Sequence, residues 1–104
     1  MSLMLVITTV SSREDAVALA RHLVQEKLGA CVQLFPCESL YTWEGDVVLD
    51  QEYRVEIKTT ETAAPGVMKI LAAKHPYDEP EIIALPVSLA SEGYRRFVET
   101  GTKR

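Results

Sequence analysis

After Glu44-Gly45-Asp46 the chain alternates with period two. Val47, Leu49, Gln51, Tyr53, Val55 and Ile57 point one way, Asp50, Glu52, Arg54, Glu56 and Lys58 point the other, and only Val48 breaks the polar set. Such alternation is a β-strand with one wetter face. From Val47 to Thr59 it would run about 43 Å at a rise of ~3.3 Å per residue. A chain of 104 residues packs to a radius of gyration near ~13 Å, a diameter around ~33 Å. The strand is therefore too long for its own body, and its hairpin must protrude. A protruding strand pair exposes unpaired backbone and apolar side chains unless something covers it. The simplest cover is a second copy of the same chain, in a closed ring.

The rest of the sequence supplies a body for this arm. Leu3 to Val10 is a short apolar, β-branched run that predicts a buried strand. Ser11 and Ser12 follow, with Glu14 at capping-box spacing from Ser11. Ala16, Leu19, Ala20, Leu23, Val24 and Leu28 then recur at helical intervals, and Gly29 is expected to end the helix in the left-handed conformation. Ala30 to Tyr41 reads as a second strand, kinked or bulged at Pro36. After the long strand, Thr60 or Thr62 caps a helix with Pro65 in its first turn and Val67, Ile70 and Leu71 as its buried stripe. A turn from His75 to Glu81 leads into a fourth strand. A last helix is capped by Ser91, with Tyr94, Phe97 and Val98 inward and Gly101 to Arg104 as a polar tail. Two strand–helix–strand crossovers of the usual hand place both main helices on one face of a four-stranded antiparallel sheet. The expected fold is a ferredoxin-like α+β sandwich (βαββαβ) with an added C-terminal helix, one domain over residues 1–104.

Composition narrows the partners. A net charge of −4 argues against a general nucleic-acid binder. No apolar run approaches the ~20 residues that span a membrane. Met1 to Ile7 lacks the basic start of a signal peptide, so the expected compartment is the cytosol. Cys31 and Cys37 lie in extended segments, where a disulfide is geometrically poor, and they match no zinc spacing; both read as reduced thiols, with Cys31 packed in the core.

Chemistry concentrates at His75-Pro76-Tyr77-Asp78-Glu79-Pro80-Glu81, where Pro76 and Pro80 rigidify a turn carrying an imidazole, a phenol and carboxylates. His75 fits a metal ligand or proton-transfer group, or equally a helix cap bonded to a backbone carbonyl. Tyr77 shapes a pocket or packs across an interface. Asp78, Glu79 and Glu81 attract a hard cation or are simply solvated. Glu52 and Lys58 share a strand face and, with His75, are placed in an expected intersubunit pocket for a small anion or metal complex. Tyr41 and Trp43, at the hairpin turn, are expected to anchor a subunit contact.

Ala30-Cys31-Val32, Tyr41-Thr42-Trp43-Glu44-Gly45, Glu52-Tyr53, Ile57-Lys58-Thr59-Thr60 and His75-Pro76-Tyr77 through Leu85-Pro86-Val87 together resemble the CutA divalent-cation tolerance family, over nearly the whole chain. The resemblance implies a ferredoxin-like protomer in a tight homotrimer with intersubunit strand pairing, no settled enzymatic activity, and a divalent cation such as copper as ligand. In bacterial members with a proposed copper site it implies a cysteine near the end of the first strand and adjacent histidines before Pro-Tyr. Here those positions hold Thr8 and Lys74-His75, so only His75 carries over, and the loss of a soft ligand and one imidazole counts against such a copper site. The favoured reading is a non-enzymatic trimer that binds divalent metal ions or a small ligand, with His75 as the metal residue and Glu52, Lys58, Tyr77 and Glu81 around the ligand. The alternatives are a signalling trimer like the nitrogen-regulatory PII proteins, and an enzyme using His75 with Glu81 or Lys58 as acid and base, although no nucleophile–base pair is legible.

Overall fold

The computed structural model describes residues 2–103. Met1 and Arg104, and with them the outer limits of the domain expectation and the last residue of the expected tail, lie outside the described residues. The elements are β1 (Leu3–Val10), α1 (Arg13–Gln25), β2 (Cys31–Trp43), β3 (Asp46–Thr60), α2 (Ala64–Lys74), β4 (Ile82–Val87) and α3 (Glu92–Gly101). The strands form a four-stranded sheet in the order β2-β3-β1-β4, antiparallel throughout. This is the expected ferredoxin-like α+β arrangement.

Period two sorts the sheet into two faces. On one, Val6, Val10, Val55 and Ile57 meet Leu19 and Leu23 of α1 and Val67 and Leu71 of α2, and these residues form the buried core. Residues of the other parity, among them Leu5, Ile7, Arg54, Glu56 and Lys58, face away from those helices. There α3 approaches the sheet, and its Tyr94 shares a groove with Leu3, Leu5 and Lys58.

β1 pairs with β3 only from Tyr53 to Thr60. From Asp46 to Glu52 the strand has β2 as its sole partner, so this half of the hairpin is a bare two-stranded arm. It makes the molecule 45 Å long against 25 Å and 20 Å in the other directions. On the arm Leu40 is 69% exposed, Val47 71%, Leu49 61% and Trp43 61%, while Val55 and Ile57 further along β3 are fully buried. One amphipathic pattern thus runs from the core into solvent.

Several local expectations change. β2 crosses Pro36 without a bulge: the register is continuous from Cys31↔Lys58 through Pro36↔Tyr53 to Trp43↔Asp46. β2 is an edge strand, where a proline costs no ladder bond if its nitrogen faces outward. The hairpin closes through Glu44 (φ 51°) and Gly45 (φ 86°), the left-handed pair of a two-residue turn whose twist matches the strands. The cap of α1 is Ser12, whose Oγ accepts the Asp15 N–H at 3.1 Å. The left-handed residue after α1 is Lys27 (φ 58°), not Gly29. Gly29 is required for a different reason: a Cβ there would meet Ile57 Cγ2 at 2.9 Å. Val24 lies on the rim, half exposed, and α2 has Ala63 at its N-cap with no side-chain cap. Thr60 Oγ1 instead accepts the Ala63 N–H in the turn before that helix. In α3 only Val98 is buried; Tyr94 and Phe97 stack on each other at 5.7 Å with their outer sides uncovered. Gly101 closes that helix rather than opening the tail.

Candidate functional site

At the end of β1 three elements meet. α2 stops at Lys74, and His75 takes up extended backbone (φ −67°, ψ 138°), as the following proline demands, while its N–H still caps the Leu71 carbonyl. This turns the imidazole back toward β1. Its Nε2 lies 2.9 Å from the Thr9 carbonyl oxygen and 3.0 Å from Thr8 Oγ1, and its Nδ1 accepts the Tyr77 N–H at 3.1 Å. Because Nδ1 accepts from an amide, Nε2 carries the proton and gives it to Thr9 O, with the Thr8 hydroxyl oxygen alongside. Burial pushes the imidazole below its ordinary value of 6.5, and the Thr9 carbonyl opposes this only in part.

The backbone bond orients Tyr77. Its phenol donates to Glu52 Oε2 at 2.7 Å, and its ring lies 4.8 Å from that of His75 at a tilt of 57°. Burial, then the bond to Glu52, pushes the phenol well above the usual tyrosine range, and the Ser11 hydroxyl pulls the other way. Glu52 is the β3 residue next beyond the last β1 pair, Val10↔Tyr53. There the vacated strand position opens a cleft of about 400 Å³ lined by Ser11, Pro36, Cys37, Glu38, Gln51, Glu52 and Tyr53.

The expected site residues therefore divide. His75, Tyr77 and Glu52 come together. Glu81 is exposed at the far end of the turn. Lys58 sits six residues along β3, about 20 Å at a rise of ~3.3 Å, where it donates to Gln33 Oε1. Within one protomer Lys58 and Glu52 thus line separate places. Tyr41 and Trp43 lie on the arm, with the Tyr41 phenol donating to Asp50 and held above its ordinary value first by that bond. Cys31 and Cys37 are free thiols, as expected, but Cys31 is only partly buried, against Tyr94 and outside the core, because it shares the Lys58 side of the sheet. The sequence reading missed Ser11, Cys37, Glu38 and Gln51 as cleft residues. Cys37 is paired with Glu52, which an unbulged β2 counted back from the Glu44-Gly45 turn would have placed there.

Does this donor set fit a copper ion? Thr8, where the resemblance puts a cysteine ligand, does lie beside His75, but it is fully buried and offers a hydroxyl already in contact with Nε2. Both ring nitrogens of His75 are spent on protein groups. Among the described residues no group of three or more His, Cys, Asp or Glu is placed to hold a metal ion. Within one protomer, the residues at this position do not fit a copper centre.

Acidification tests the His75 geometry. Its folded value lies below that of the unfolded chain, so its contribution to stability is full above about 6.5. That contribution is lost as pH falls through the lowered folded value, because the unfolded chain binds the proton first. Urea midpoints are expected to drop between pH 7 and pH 5, and to drop less in His75→Gln. Equal drops would show that the imidazole is not held neutral.

Comparison with known proteins agrees with this fold. The family profile described as CutA1 divalent ion tolerance protein matches residues 4–101. The Divalent-cation tolerance protein CutA of Thermus thermophilus is 44% identical over 95 residues, covering 90% of this chain and 89% of that protein. Protein CutA, chloroplastic, of Arabidopsis thaliana is 41% identical over 94% of this chain, which spans only 54% of that longer protein. The structure of the periplasmic divalent cation tolerance protein CutA from Archaeoglobus fulgidus superposes with a TM-score of 0.93 at 28% identity, covering 97% of this chain and 99% of that one. The fold is that of a ferredoxin-like α+β protein, and the family match puts it in the divalent-cation tolerance class. The chain belongs to the CutA1 family. Two of these relatives are named for the chloroplast and the periplasm, so the cytosolic expectation gains no support from them. No helix among the described residues is long and apolar enough to cross a membrane.

Proposed function

We propose that this chain acts in divalent-cation tolerance as a non-enzymatic homotrimer whose ligand site is the Glu52 cleft, completed by a neighbouring copy. The observation that carries the reading is the uncovered arm, with Leu40, Trp43, Val47 and Leu49 all more than half exposed. A second apolar area on the same protomer (Ile83, Leu85, Leu89 and Phe97) lies along β4 and α3, away from the arm in the sheet register. Two different apolar surfaces on one chain suit a heterologous contact, which forms a ring when the rotation between copies closes. The number three is what the resemblance to the CutA family implies, and the carboxylates of Glu38 and Glu52 support a hard divalent cation, which prefers oxygen donors. The signalling alternative shares the ferredoxin-like fold, and nothing among the described residues supports it better than this reading.

Zinc titration of the assembled protein tests the ligand half. Uptake is expected, and Glu52→Gln, which removes the charge but keeps an acceptor for Tyr77, should weaken it roughly tenfold. Unchanged affinity in Glu52→Gln would remove the cleft from the account.

A further inference from the structure

We infer that His75 is a positioning residue for the Glu52 carboxylate and not a metal ligand: it clamps the end of β1 to the backbone of Tyr77, and through that clamp it holds the Tyr77 phenol on Glu52. A neutral imidazole has one donor and one acceptor. Here the donor is spent on Thr9 O at 2.9 Å and the acceptor on the Tyr77 N–H at 3.1 Å. An ion at Nδ1 would have to displace that amide. An ion at Nε2 would have to displace a proton held between two oxygens, one of them on fully buried Thr8. Either exchange strips a polar group in a part-buried place of its partner, which costs on the scale of a lost hydrogen bond.

What the clamp accomplishes is visible one residue pair away. Pro76 restricts the backbone between the two rings, so the bond at the Tyr77 amide helps to set where its Cα–Cβ bond starts, and the bond to Glu52 fixes where the phenol ends. That contact, 2.7 Å from the phenol to Glu52 Oε2, lies at the point where β3 leaves β1 and becomes the arm. One carboxylate oxygen is thereby committed to Tyr77, and a cation in the cleft meets the other. The inference rests on the cleft reading for this last consequence only; the clamp itself is measurable without an ion.

The test uses the full chain with 15N-labelled histidine and 13Cζ-labelled tyrosine, and zinc as the probe. At saturating zinc the His75 ring nitrogens are expected to keep the signature of the neutral Nε2–H tautomer; a zinc-induced shift of either nitrogen would overturn the assignment. In folded His75→Phe the Tyr77 Cζ resonance is expected to move to its position in Glu52→Ala, because both variants free the phenol. A resonance that stays at the wild-type position would overturn the clamp. His75→Gln is the second variant. Its amide can restore both bonds, so the wild-type resonance is expected, and a move to the Glu52→Ala position counts against the clamp. Absence of zinc uptake would sink the cleft reading while leaving the tyrosine arm to decide the clamp.

Discussion

Trp43→Ala combined with Leu49→Glu is expected to turn the assembly into a folded monomer. Both side chains stand on the bare arm, 61% exposed in the isolated protomer, so neither supports the protomer's own core. Full burial of such side chains against a neighbour is worth about 1.5–3 kcal/mol each, and a ring makes the contact three times. A carboxylate in place of Leu49 adds a desolvation cost at an interface centre. Light scattering behind size exclusion should then give the mass of one chain, with the far-UV circular dichroism unchanged. If the double variant keeps the wild-type mass and melting temperature, the arm is not what the copies share.

Ile57→Ala is expected to do the opposite, weakening the protomer itself. Ile57 is fully buried in the core half of β3, near its C-terminal end, paired with Val6 on one side and Val32 on the other, with Gly29 against it from the loop after α1. Truncation removes packing and leaves a cavity that the neighbouring strands cannot close, a loss of about 2–5 kcal/mol. Denaturant unfolding, at concentrations where assembly is held constant, should register that loss. A change below about 1 kcal/mol would mean that the site collapses around the smaller residue.

The sequence revealed the architecture because its signals were long. The period of β3, the stripe of α1 and the Glu44-Gly45 turn each bind many residues to one pattern, so the strand order and the protruding arm followed. Short-range expectations failed where tertiary packing decided. Gly29 looked like a helix terminator, but its missing Cβ makes room for Ile57 while Lys27 takes the left-handed position. Tyr94 and Phe97 looked inward by period, yet the protomer leaves them 38% and 52% exposed. The site was legible in part. His75, Tyr77 and Glu52 stood out by chemistry, and the structure joins them. Their roles were hidden, since the direction of an imidazole depends on which carbonyl it reaches, and Thr9 is remote in sequence. The kink or bulge expected at Pro36 left the count along β2 open and so hid the Cys37–Glu52 pair; a one-residue slip exchanges the faces of a strand.

The account stands on the arm being sheltered by other copies. Sedimentation equilibrium of the wild-type chain in dilute solution tests this most directly. The predicted result is a single species of three times the 11.6 kDa chain mass, persisting to low micromolar concentration. A folded, heat-stable species of one chain mass across the same range would contradict it.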